Sequence, residues 1–170
     1  VASQLVDDLD DLFALRVLVE AAGVRSTVPT LRSRQAGLLA QLADDMDIHA
    51  GRCDPRTLAQ ADRAFHLGMV ACAGPRVRAL AEELAARAEG HCLRHLSRAQ
   101  AAAASSREHR QILASALEQD AEECVLRVVD HHLRTVTDLV AEIAPRHPLE
   151  RVRIAALQAT GHEISALDAA

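Results

Sequence analysis

The sequence predicts an all-α protein, an antiparallel bundle of about six or seven helices. Three observations carry this prediction. Apolar residues make up 49% of the 170-residue chain but include only two Phe, no Tyr and no Trp, so the core has to be built from Ala, Leu, Val and Ile, which suit packed helices. No segment shows sustained period-two alternation, the mark of a half-buried strand. Helix-start and helix-stop signals, among them Asp54-Pro55, Gly74-Pro75 and Asp120, punctuate the chain instead.

Each element has its own signal. Leu5, Leu9, Leu12, Phe13, Leu15 and Val19 recur at helical spacing behind acidic residues, so a first helix is expected over 5–22, closed by Gly23. A second amphipathic stretch, 31–46, precedes a polar break over 47–53. Asp54 then reads as an N-cap with Pro55 at the first helical position, opening a helix through Asp62, Phe65, His66, Met69 and Val70. Gly74-Pro75 ends that helix and starts the next. Residues 76–100 read as one long helix, with Leu80, Leu84, Cys92, Leu93 and Leu96 on its apolar positions and Gly90 as a weak point. Ser105-Ser106-Arg107-Glu108 reads as a capping box ahead of His109, Ile112, Leu113 and Leu117. Asp120 caps a helix over 121–144, Pro145 and Pro148 punctuate, and a terminal helix over 149–157 precedes a tail expected to fray.

Composition narrows the function. A formal charge of −5, with no basic run interleaved with aromatics, does not suit a nucleic-acid grip. All nineteen basic residues are Arg, which with the excess of Ala points to a GC-rich bacterial coding sequence. No stretch approaches ~18 uninterrupted apolar residues and no charged-then-apolar leader opens the chain, so a cytoplasmic protein without membrane contact is expected. Cys53, Cys72, Cys92 and Cys124 form no C-x-x-C pair and read as reduced thiols filling core space.

Chemistry gathers at a few polar residues. Asp62 and His66 lie four apart on one predicted helix, about 40° apart around its axis, so both reach one centre. His109 and one of the adjacent pair His131 and His132 lie on separate predicted helices amid apolar neighbours. Neutral imidazoles ligate zinc, nickel, iron or manganese, and four ligands from three helices would line a metal and ligand cavity in the bundle core. An exposed Asp–His pair is the commoner product of such spacing, and only the surrounding motifs weigh against it. His91 and His95, also four apart, are either a second pair or surface histidines, and His49, His147 and His162 fall in breaks or the tail.

Those motifs are Asp62-Arg63-Ala64-Phe65-His66, then Ala73-Gly74-Pro75 with an apolar helix, Glu108-His109-Arg110 before Ile112 and Leu113, and Asp120 with a helix reaching His131. Together they resemble the ligand-binding domain called FCD of FadR-type GntR transcription regulators. Asp11-Leu12-Phe13-Ala14-Leu15-Arg16 with Glu20 is similar to the first helix of that domain, and the resemblance runs from about Asp8 to Leu139. It implies that Asp62, His66, His109 and His131 hold a divalent metal, zinc foremost, with nickel, manganese or iron as alternatives. It also implies a small carboxylate effector, a homodimer, and control of operator DNA, expected as repression, through a winged helix-turn-helix domain that would precede Val1 and is absent here. Arg16 and Arg94 lie on helices that in this family can face the effector cavity. His131 follows the family's register, eleven residues after Asp120, whereas periodicity leans towards His132, which falls with Val125, Val128, Val129 and Val136.

Two other classes compete. A three-His, one-Asp centre with open positions is also what a metal-dependent hydrolase would use, but no catalytic base is spaced for it if Glu108 is a cap. A metal-free helical interaction module is the third reading.

Overall fold

The computed structural model describes residues 2–52 and 54–161. These form seven α-helices, α1 (Ala2–Thr27), α2 (Ser33–Gly51), α3 (Pro55–Met69), α4 (Pro75–Leu96), α5 (Ala99–Leu117), α6 (Ala121–Ala141) and α7 (Glu150–Thr160), with one 3-10 turn at Val28–Thr30 and no strand among the described residues. The all-α bundle expected from composition is what forms. Among the described residues, no helix is long and apolar enough to cross a membrane.

α1 is the spine. Its inner stripe of Val6, Leu9, Phe13, Val17, Ala21 and Val24 is almost wholly buried, and the helix packs against α4, α6 and α7. Burying Phe13 alone contributes about 2–3 kcal/mol by removing its ring from water. α2, α3 and α5 form a second group, joined to the first where α3 meets α4 and α5 meets α6.

Several boundaries differ from the sequence-based expectation, each for a tertiary reason. α1 does not stop at Gly23 but runs to Thr27. Gly23 is there for close approach: a Cβ at that position would lie 2.6 Å from Val70 Cβ, so the glycine lets α1 touch the turn after α3. The polar stretch from Asp47 stays helical to Gly51, because α5 takes up its charges through bonds from Ser106 and Arg110 to Asp47 and from Arg110 to Asp44. Cys53, the last residue of the expected break, lies outside the described residues. The long helix ends at Leu96 rather than 100 and passes through Gly90 without interruption.

The largest correction concerns α5. It starts at Ala99, six residues before the expected cap, since the strong helix formers Ala101 to Ala104 carry it straight through Ser105 and Glu108. Ser105 is therefore a buried helix-interior residue and Glu108 faces α6. Asp54 and Asp120 do cap as expected, accepting from Thr57 N (3.2 Å) and Glu123 N (3.0 Å). α6 stops at Ala141, three residues early.

α7 starts without a local cap, behind Leu149 at a left-handed φ of 51°. Buried Asp10 of α1 supplies the missing acceptor, taking bonds from Arg151 N (3.0 Å) and Val152 N (2.9 Å). The described chain closes at Gly161, whose φ of 73° is the usual left-handed end of a helix. The expected frayed tail lies beyond it.

Candidate metal centre

The centre is built by three helices. α3 presents Asp62 and His66 one turn apart, α5 presents His109, and α6 presents His131 and His132. All five are buried. One ligand atom from each of Asp62, His66, His109 and His131 falls within 4.8 Å of the others, so the four residues singled out from the sequence come together in space. His109 Nε2 lies 3.1 Å from His66 Nε2 and 3.3 Å from Asp62 Oδ1.

Three of the rings are anchored from behind. His109 Nδ1 donates to the Ser105 carbonyl (2.8 Å), His66 Nδ1 to Glu20 Oε2 (2.7 Å) and His131 Nδ1 to Glu108 Oε2 (2.8 Å). A carbonyl or ionised carboxylate oxygen only accepts, so each neutral ring keeps its proton on Nδ1, for His131 while Glu108 is ionised, and leaves Nε2 bare. Bare nitrogens and a carboxylate oxygen crowded at about 3 Å repel one another and lack a proton to share. A divalent ion meets that demand. Donors at ~2.0–2.2 Å from one tetrahedral ion stand roughly 3.3–3.5 Å apart, close to the separations here, and outer-shell acceptors on ligand histidines are the usual way such rings are oriented. The residues fit a metal.

Burial sets the electrostatics. It pushes the His109 imidazole down to about 4 and, helped by the neighbouring His109 and His66, holds that of His131 well below the usual range. His132 is likewise brought down to about 4 by burial, against the pull of Glu20. For Glu20, burial alone favours the protonated acid, but His132, Arg16 and His66 outweigh it and hold the carboxyl well below its usual range. Neutral imidazoles around an ionised carboxylate are the protonation states a cation requires.

Glu20 is the hub that the sequence motifs mention without explaining. Its Oε2 accepts from His66 and from His132 Nε2 (2.8 Å), while Oε1 accepts from Arg16 Nε (3.1 Å) and pairs with Arg16 Nη2 (3.0 Å). A signal for it exists: Glu20 lies in phase with Phe13, Val17 and Val24 on the buried arc of α1, where a charge needs a partner. Glu108, expected as a cap, is instead the acceptor behind His131, and burial pushes its carboxyl up to about 7. His132 pairs with Glu20 rather than joining the group around Asp62, although Glu20, His66 and His132 make a second cluster of metal-ligating type.

A narrow cleft opens beside the centre, lined among others by Arg16, Asp62, Cys92, His95, His131 and His132. It leaves about 10 Å³ for the centres of water molecules, room for roughly one. Arg16 is buried, and its Nη1 has only a long contact to Cys92 Sγ (3.7 Å), so one guanidinium nitrogen is left over from the Glu20 pair. Burial pushes the Cys92 thiol up to about 11, making it an inert neighbour at neutral pH. Arg94 is not at this cleft: it is exposed and paired with Glu142 just past the end of α6 (3.0 Å), because the inward positions of this turn of α4 are taken by Cys92 and His95. His91 is half-buried outside the cleft, whereas His95 lines it. His49 and His147 are half-buried beside Asp54 and Asp7 rather than fully solvated, and His162 lies outside the described residues. Cys72 is exposed and Cys124 buried.

The family model of the FCD domain matches residues 11–135, nearly three quarters of the chain and every element of the centre. This chain belongs to the FCD domain family. Its fold is shared with a solved transcriptional regulator, a GntR family member from Pseudomonas syringae pv. tomato str. DC3000, at a TM-score of 0.68 and 24% identity over 81% of this chain. The match spans 56% of that regulator's length. No curated protein matches the sequence.

Proposed function

We propose that this chain is the effector-sensing domain of a GntR-type transcription regulator, a repressor acting in the cytoplasm, which holds one divalent metal and recognises a small carboxylate. The observation that carries the reading is the convergence of Asp62 with three back-anchored imidazoles beside a buried guanidinium that has a nitrogen to spare. A divalent ion held by Asp62, His66, His109 and His131, zinc before nickel, manganese or iron, supplies a positive point that attracts oxygen. Arg16 holds the far end of the acid through Nη1 while its other two nitrogens stay paired with Glu20. Because the cleft admits about one water, an acid enters only if the helices around it shift. That differential affinity is what can alter the grip of a linked winged-helix domain on operator DNA.

A hydrolase is the weaker reading even though Glu108 is not a cap. Its carboxylate sits behind His131 on Nδ1, away from the face where the bare nitrogens meet.

The test is a thermal-shift series on the zinc-loaded domain with acetate, glycolate, succinate and malate, with and without chelator. At least one acid raises the midpoint, and does so less after chelation. Arg16→Ala weakens that acid by roughly 2–5 kcal/mol, about thirtyfold or more, with metal content unchanged. No response to any acid in the metal-loaded protein rejects the reading.

The same reading includes a homodimer. α1 turns Leu5, Leu15 and Leu18 outward and α4 adds Leu80, beside a groove with Asp8 and Asp11 on one wall and Arg87 on the other. A twofold axis there sets unlike charges against each other and buries the leucines. Sedimentation is expected to give twice the chain mass for the wild type and the chain mass for Leu15→Glu. A monomeric wild type at micromolar concentration overturns this interface.

A further inference from the structure

We propose that His132 is the residue that selects among acids, and that it favours those carrying a hydroxyl beside the carboxylate, the 2-hydroxy acids, over their unsubstituted counterparts. This rests on the carboxylate reading above and goes beyond it to the chemistry of the acid.

The argument starts from a buried atom without a partner. His132 Nε2 lies 2.8 Å from Glu20 Oε2, a carboxylate oxygen already accepting from His66, so Nε2 is the donor and the neutral ring presents Nδ1 as a bare acceptor. That Nδ1 is buried and meets no hydrogen-bond donor. Buried acceptors are nearly always satisfied, and this one belongs to a residue lining the cleft that holds Arg16 and Asp62. The cleft has room for about one water, which is also the volume of one hydroxyl.

No other group facing the cleft bonds this nitrogen. Arg16 is committed to Glu20 through two nitrogens, and its third lies toward Cys92. Thr135 lines the cleft one turn along α6 but does not bond His132. An acid whose carboxylate is held by Arg16 and the metal centre therefore leaves Nδ1 either unmet or met by its own substituent. A 2-hydroxyl donates there. A methyl or hydrogen in its place leaves the acceptor buried without water, and sites built to bond a hydroxyl reject the analogue lacking it.

Calorimetry on the zinc-loaded protein with two matched pairs, glycolate against acetate and lactate against propionate, tests this. In the wild type the hydroxy acid is expected to bind at least tenfold tighter in each pair. His132→Gln keeps a donor for Glu20 at the place of Nε2 and leaves no acceptor at the place of Nδ1, so the preference should shrink to within about twofold while metal content stays the same. A preference that survives in His132→Gln places the hydroxyl elsewhere, on the ion for example, and overturns the proposal. So does equal binding of both members of each pair by the wild type. If no acid binds the zinc-loaded wild type, the carboxylate reading fails and takes this inference with it. A readout independent of the variant is the ¹⁵N resonance of His132 Nδ1, expected to move on addition of glycolate and to stay on addition of acetate. An unmoved resonance with glycolate bound also overturns the proposal.

Discussion

Replacing His109 or His131 with alanine is expected to strip the domain of its divalent metal, while His132→Gln leaves it loaded. The expectation comes from how the rings are held. Each of His66, His109 and His131 has its Nδ1 fixed on an acceptor, so its other nitrogen is aimed before any ion arrives. Deleting one of the four proposed ligands costs more than the roughly 10–100-fold in affinity that follows loss of an outer-shell partner. Glu108→Gln and Glu20→Gln fall in that milder class, since they loosen His131 and His66 without removing them. Competition with a chromophoric chelator, paired with elemental analysis of each purified variant, gives the ranking. A His131→Ala protein that keeps one metal per chain, or a His132→Gln protein that loses it, would exchange the roles of the two neighbours.

The part of this centre that was legible in the sequence is the part set by helix geometry. Asp62 and His66 share a face because they are four residues apart, and the motifs after them supplied His109 and His131. What stayed hidden depends on which helix lies behind which. Glu108 satisfies the S-x-x-E capping pattern as well as any true cap, and only the packing of α5 on α6 reveals that its carboxylate serves His131. The start of α5 is hidden for a related reason: Ala101 to Ala104 look like filler before a cap, yet their intrinsic preference carries the helix through Ser105. Arg94 and Arg16 looked equivalent as cavity arginines. They differ because one turn of α4 points Cys92 and His95 inward and leaves Arg94 to Glu142, whereas Arg16 sits one turn from the buried carboxylate that neutralises it.

Acid is expected to destabilise the chelator-stripped domain steeply between pH 6.5 and 4. His109 and His132 have ordinary values of 6.5 and are held at about 4 in the fold by burial. As pH falls below 6.5 the unfolded chain takes up protons that the folded chain refuses, so the loss due to these two rings accrues through this window and is complete below about 4. Relative to pH 7, each ring costs about 2 kcal/mol at pH 5. His131 is depressed for the same reason and adds to the loss. Glu108 works in the opposite sense, because its carboxyl at about 7 is protonated in the fold before it is in the unfolded chain, and so returns part of the stability. Glu20, held well below its ordinary 4.5, begins to contribute loss only under pH 4.5. A net loss of about 4 kcal/mol lowers the melting midpoint by roughly 10 °C in a domain of this size. Circular-dichroism melts at pH 7 and pH 5 in chelator measure it directly. A midpoint that is unchanged or higher at pH 5 would mean that the rings carry charge in the folded protein.

Glu20 gives one oxygen to a guanidinium and the other to two imidazoles, and under the proposed metal-and-acid reading this single carboxylate makes the two ligands accountable to each other. An acid that draws on Arg16 alters the charge that Glu20 feels, and with it the hold on His66. An ion that draws on His66 alters the hold on Arg16 by the same route. Thermodynamic reciprocity then fixes the two effects as equal: whatever factor the acid contributes to metal affinity, the metal must contribute to acid affinity. With both ligands bound as proposed and a favourable coupling between them, such a domain responds most to their joint presence, so the quantity it senses is closer to a product of two concentrations than to either one.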